Sequence, residues 1–202
     1  MATLSTLIPR VANYIPDVPD MAIEEALNRA AHRFFVESMV WREVLENPSV
    51  FDGAYVLDLD LPSGSQLVSL IQCTRNGDAL DLAGSEIMFT PEPDHKPEKV
   101  YAEGAELIFD GRLASGDVVN VMCCLTTSRT SPQFPDRFLD EYGPAFVNGA
   151  VGELYRYPTS QLRNFELAVT YEAMFANEMV MAKGRASSGR THAKRTVKYG
   201  GL

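Results

Sequence analysis

The sequence contains little cysteine and little histidine, with three of each among its 202 residues. Cys123 and Cys124 are adjacent, and neighbouring side chains in a strand point to opposite faces of the sheet. The odd number and this spacing argue against a disulfide framework, so we interpret the pair as small apolar side chains packed in a strand. His32, His95 and His192 lie far apart, without cysteine or acidic partners at metal-ligand spacing. The sequence therefore predicts no metal site.

Long hydrophobic runs are also missing. No uncharged apolar stretch of about 18 residues occurs, which excludes an ordinary membrane-spanning helix. The first ten residues lack the charged start and apolar run of a signal peptide. We therefore expect a protein that contacts no membrane and is made in a reducing cytoplasm.

Motifs for nucleotide and acyl chemistry are absent as well. Neither Gly-x-Gly-x-x-Gly nor Gly-x-x-x-x-Gly-Lys-Ser/Thr occurs, and no nucleophile, base and orienting group can be named together. Asp58 and Asp60 share one face of a predicted strand, where such a pair could bind a cation or act as paired carboxylates. The simpler interpretation is that they form the solvated face of that strand. The sequence thus predicts a protein that is not an enzyme and holds no cofactor.

Three segments carry apolar residues at helical spacing. The first is predicted over about 20–43, where Asp20 can cap the start and apolar side chains recur about every 3.6 residues. The second is predicted over about 136–156 and the third over about 160–183. Phe34, Phe35 and Trp41 in the first segment are interpreted as core or subunit-contact residues rather than a ligand platform.

Between the first two helices, over about 51–130, the period of the apolar residues changes to two. Residues 54–61 alternate strongly, and Asn76-Gly77 is a strong signal for a hairpin turn. The sequence predicts five to seven antiparallel strands here. The predicted fold is α+β: a bundle of one N-terminal and two C-terminal helices with an inserted antiparallel β lobe. This single domain spans 1–183 and is followed by an extended tail, 184–202.

The order of these elements resembles the head-to-tail adaptor, or head-tail connector, family of tailed bacteriophages. The resemblance covers roughly residues 5–183 and rests on pattern rather than on a catalytic motif. The last predicted helix departs from the family in being unusually apolar and rich in methionine. The residues that carry the resemblance are Leu7-Ile-Pro-Arg-Val11, Val18-Pro-Asp20, Val40-Trp-Arg-Glu43, Tyr55-x-Leu-x-Leu-x-Leu-Pro62, Phe134-Pro-Asp-Arg-Phe138, Gly149-Ala150, Leu154, Tyr157-Pro158, Ala168, Tyr171 and Phe175.

The resemblance implies a structural protein of the virion neck. Such a protein assembles with itself into a ring, usually twelve-fold, between the portal and a tail tube or nozzle protein, and genomic DNA passes through its channel. The resemblance also implies that C-terminal segments grip the portal. The portal-docking residues expected on this basis are Lys183, Arg185, Arg190, Lys194, Arg195, Lys198 and Tyr199.

Charge is distributed unevenly along the chain. The first 182 residues carry 12 basic and 27 acidic side chains, whereas the last 20 carry six basic and no acidic ones. The basic tail can order against acidic protein surface, bind nucleic-acid phosphates or remain disordered. The second option makes a soluble nucleic-acid-binding accessory protein the alternative function. The acidic body either repels DNA from a channel wall or only keeps the monomer soluble.

Overall fold

The computed structural model describes residues 3–46, 52–84, 95–129, 132–157 and 163–188. A 3-10 turn, Leu4–Leu7, and a short helix α1, Ile8–Ala12, lead into helix α2, Asp20–Ser38. The first long helix ends earlier than the predicted residue 43, because Met39 adopts a left-handed backbone with φ 52° that stops the helix. The chain then enters a strand instead of completing the helix.

A seven-stranded sheet, curled into a half-barrel, follows this helix. The strand order is β1-β7-β3-β4-β5-β6-β2. All neighbouring strands are antiparallel except β4 and β5, which pair in parallel. The strands are β1 Arg42–Glu46, β2 Val56–Asp58, β3 Ser65–Arg75, β4 Asp78–Leu82, β5 Lys99–Glu103, β6 Glu106–Phe109 and β7 Val119–Thr127.

The hairpin between β3 and β4 confirms the Asn-Gly turn predicted from the sequence. Asn76 and Gly77 both have positive φ, 52° and 93°, as a tight two-residue hairpin turn requires. Asp117 clamps this turn to the segment before β7, because it accepts hydrogen bonds from Arg75 Nε at 2.6 Å and Asn76 Nδ2 at 2.7 Å. These bonds lower the pKa of Asp117 although its burial acts in the opposite direction.

Two long helices complete the fold: α3, Asp136–Arg156, and α4, Phe165–Ser188. Gly149 lets three helices approach closely, since a Cβ there would lie 2.9 Å from the Cβ of Ala30 on α2 and 3.0 Å from the ring of Phe175 on α4. None of the helices within the described ranges has both the length and the hydropathy needed to cross a bilayer.

An aromatic cluster joins α2, α3 and the loop before α3. The ring of Phe35 lies 5.3 Å from Phe138, 5.4 Å from Trp41 and 5.5 Å from Phe134. Trp41 and Phe35 are fully buried, as is Phe34, so the structure places all three in the core of the subunit. Such edge-to-face and tilted ring contacts add to the free energy that burial of the rings contributes.

The predicted helical bundle with an inserted antiparallel β lobe is wrong. The sheet is mixed and shares one continuous hydrophobic cluster with the helices, so it forms half of the core rather than an appendage. α2 packs directly on β7, whose residues Cys123–Thr127 are all buried. The error has a physical reason: local periodicity indicates the type of each element but not which elements pack together, nor that β5 pairs in parallel with β4 after a long connection.

Candidate functional site

The residues predicted to dock on the portal fall partly within the described chain. Lys183 and Arg185 are exposed on the last turns of α4, and Arg185 Nη1 lies 3.5 Å from Glu141 Oε1 of α3. α4 continues to Ser188, so the first residues of the predicted extended tail are helical. The other predicted docking residues, Arg190, Lys194, Arg195, Lys198 and Tyr199, lie outside the described residues.

The residues considered for metal or redox chemistry are not brought together. Asp58 and Asp60 are both exposed at the β2 edge of the sheet. Burial raises the pKa of the Cys73 and Cys123 thiols to about 11, so both keep their protons at neutral pH and are poor nucleophiles. Within the described ranges, no three His, Cys, Asp or Glu side chains are arranged to hold a metal ion.

His32 links helix α2 to strand β7 by hydrogen bonds. Its Nδ1 lies 2.9 Å from the carbonyl oxygen of Thr127 and 3.3 Å from the hydroxyl of Thr126. The Thr126 hydroxyl also donates a hydrogen bond to the carbonyl oxygen of His32. These contacts attach α2 to the end of β7, and Arg129, two residues after the strand, lies beside the helix.

A cavity of about 590 Å³ opens between α2, α3, α4 and the end of β7. Four arginines converge on it from three separate parts of the chain, and Phe175 contributes an aromatic wall. We call this cavity the arginine groove. Its charged lining residues are Arg29, Arg33, Arg129 and Arg156 together with Glu25, Glu153 and Glu172.

Two of the arginines are held by carboxylates. Arg29 Nε donates to Glu153 Oε1 at 2.6 Å, and its Nη1 lies 3.4 Å from Glu25. Arg33 lies 2.6 Å from Glu172 and 2.9 Å from Glu37, and its guanidinium stacks 5.4 Å from the centre of the Phe175 ring. These two side chains therefore connect α2 to α3 and α4.

The other two arginines have unused binding capacity. Arg129 is exposed and forms no ion pair with another residue of the described chain. Arg156 is also exposed and lies 4.0 Å from Glu172, at the limit of an ion pair. Four arginines and three glutamates line the groove, and Glu37 just outside it pairs with Arg33, so the available positive charge is that of the exposed Arg129 and Arg156. This arrangement suits an anionic ligand.

Sequence reasoning missed this groove. Arg29 and Arg33 were recognisable as polar positions of an amphipathic helix, with carboxylates four residues away at Glu25 and Glu37. Arg129 and Arg156, however, follow a strand and end a helix, and they approach the others only through tertiary packing. No local pattern could have joined them.

A second feature is the outer surface of α4. Of the 24 residues of this helix, only Ala168, Phe175, Met179 and Ala182 are buried. Six of the thirteen large hydrophobic side chains that are exposed within the described residues belong to α4. We call these six the α4 outer surface: Phe165, Leu167, Val169, Met174, Val180 and Met181.

No protein-family model matches this chain, and no curated protein matches it at a significant level. The resemblance to head-to-tail adaptors therefore depends on the residue pattern alone.

Proposed function

We propose that this chain is a structural subunit of a virus particle, a head-to-tail adaptor that assembles into a ring between the portal and the tail. The observation that supports the proposal is the α4 outer surface. Together with the residue pattern shared with adaptors, it favours a protein whose function is assembly. The ring joins the portal to a tail tube or nozzle protein, and the genome passes through its channel.

The α4 outer surface requires a covering partner. Its six side chains flank the buried row of the helix on both sides, and each exposed hydrophobic side chain leaves favourable burial free energy unused. Val180 is 69% exposed and Met174 is 50% exposed. Exposed apolar side chains concentrated on one helix favour a protein interface. In a homo-oligomeric ring this partner is the neighbouring copy.

The proposal assigns the C-terminal segment to the portal. Lys183 and Arg185 extend the exposed end of α4 toward the basic residues that follow. A basic segment beside an acidic body is suited to docking on an acidic surface of another protein. The acidic side chains of the body then repel the phosphates of the DNA, which keeps the DNA from adhering to the channel wall.

The test is the assembly state of the full chain. Native mass spectrometry and sedimentation velocity, on the chain alone and mixed with its portal protein, should detect a closed ring or a ring complex. Val180→Asp should reduce assembly strongly, because it places a charge in the proposed interface. Val118→Asp is the matched control, since Val118 is a 43% exposed valine outside α4. A persistent monomer that binds DNA with strong salt dependence would instead favour the nucleic-acid-binding accessory protein.

A further inference from the structure

We propose that the arginine groove of one copy binds a row of carboxylates on the sheet of a second copy. The row consists of Asp58, Glu106 and Glu103, and we call it the acidic row. This inference depends on the proposed function, because it requires that copies of the chain associate. It adds the residues that fix how one copy is oriented on the next.

The acidic row follows from the strand register. Asp58 of β2 lies opposite Glu106 of β6, and Glu106 lies opposite Glu103 of β5. Directly opposed residues of antiparallel strands share one face of the sheet. Leu57 and Leu107, the neighbours of these acids along the strands, are buried on the other face. The three carboxylates therefore stand side by side on the solvent face.

This arrangement is unfavourable in the isolated subunit. Like charges placed directly opposite each other destabilise a pair of strands. Asp58 and Glu106 form no ion pair or side-chain hydrogen bond with any other residue that the structure describes. Glu103 accepts a hydrogen bond from the Tyr101 hydroxyl at 2.6 Å, which is a neutral donor. No cation within the described ranges neutralises the row.

The arginine groove supplies the complementary charge. Arg129 and Arg156 are exposed and have guanidinium groups available, whereas Arg29 and Arg33 are held by Glu153 and Glu172. A guanidinium can bind a carboxylate through two parallel hydrogen bonds, which gives the contact orientation as well as charge. Two available arginines can thus bind two carboxylates of the row.

The two surfaces lie in different parts of the fold. The groove is formed by α2, α3, α4 and the end of β7, whereas the row lies on β5, β6 and the edge strand β2. A contact between two unlike surfaces is head-to-tail, so every copy can contribute its groove to one neighbour and its row to the other. Such a contact builds a closed ring if the rotation between copies closes. A local contact of opposite charges also offsets the repulsion between copies that each carry a net charge of −9.

The experiment exchanges the charges in the full chain. The groove variant is Arg129→Glu with Arg156→Glu, and the row variant is Asp58→Lys with Glu106→Lys. Each variant alone juxtaposes like charges, so we expect self-association to weaken about a hundredfold in sedimentation velocity. An equimolar mixture should assemble again, because both contacts are then complementary, and native mass spectrometry should find equal numbers of the two variants in each complex.

The matched control is Arg10→Glu with Arg163→Glu, which changes the net charge equally at exposed arginines outside the groove. This control should assemble as the unmodified chain does. Circular dichroism checks that each variant is folded, and the single Arg129→Glu variant, which breaks no ion pair with a described residue, replaces the double variant if that one unfolds.

Either variant assembling alone like the unmodified chain, or a mixture that stays dissociated, overturns the inference. If the charge exchange has no effect while Val180→Asp still disrupts assembly, the ring proposal stands and this contact is wrong. An unmodified chain that stays monomeric with and without portal overturns both.

Discussion

The two C-terminal helices have similar lengths and pack against each other, yet they use their apolar residues in opposite ways. α3 buries twelve of its 21 residues, whereas α4 buries four of its 24. α3 packs against both α2 and α4, so its apolar side chains are buried within the subunit. α4 packs along one narrow side and presents the rest to solvent. We infer that α3 stabilises the subunit and that α4 serves assembly.

The largest expected effect comes from truncating a phenylalanine on each helix. Phe146 of α3 is fully buried among Phe34, Phe35 and Phe134, so Phe146→Ala should lower the free energy of unfolding by about 4 kcal/mol. Phe165 of α4 is 64% exposed, and Phe165→Ala should change it by less than about 0.5 kcal/mol. Urea unfolding of the monomeric chain measures both. Equal losses for the two variants would remove the distinction between the helices.

Replacing one glycine on each helix should change the stability by a smaller amount. Gly149→Ala on α3 places a methyl group 2.9 Å from Ala30, so we expect a loss of about 2 kcal/mol of stability. Gly184→Ala on α4 meets nothing within 4 Å and should stabilise the chain by about 0.5 kcal/mol, because alanine favours the helix. Thermal unfolding followed by circular dichroism should show shifts of opposite sign. A stabilising Gly149→Ala would mean that the three helices are not closely packed there.

The sequence predicts secondary structure best where local residues mark the start and the end of an element. The helix expected over 136–156 coincides with α3, because Pro135-Asp136 starts it and Tyr157-Pro158 follows its end. The helix expected to reach residue 43 ends at Ser38. No local sequence signal predicts the left-handed backbone of Met39 that ends it. β1 was therefore missed.

Tertiary pairing limits the prediction of the sheet and of the groove. The parallel pairing of β4 with β5 and the sharing of one core by sheet and helices depend on contacts between distant segments. The arginine groove has the same origin, since Arg129 and Arg156 meet Arg29 only in the folded chain. The methionine-rich, apolar character of the last helix was visible in the sequence. That it faces solvent was not.

The smallest expected effect is a change in the pH dependence of stability. Burial raises the pKa of Glu153 on α3, and the nearby Arg29 guanidinium offsets this only in part. Because the folded-state pKa is raised, the contribution of this carboxyl to stability is present at low pH and is lost as the pH rises through that pKa. Glu153→Gln keeps a neutral side chain at every pH. We therefore expect its stability relative to the unmodified chain to increase from about pH 4 to about pH 7.

The sign of this change in stability shows whether the ion pair with Arg29 or the burial of Glu153 has the larger effect. The Glu153 side chain is 33% exposed, so solvent screening keeps the effect small, and urea unfolding at several pH values is needed to resolve it. If Glu153→Gln becomes less stable than the unmodified chain as the pH rises, the ion pair with Arg29 outweighs burial and holds α3 to α2. If it becomes relatively more stable, the ionised and partly buried Glu153 carboxylate lowers the stability of the folded chain. That outcome would mean that the Glu153–Arg29 ion pair does not stabilise the subunit at neutral pH.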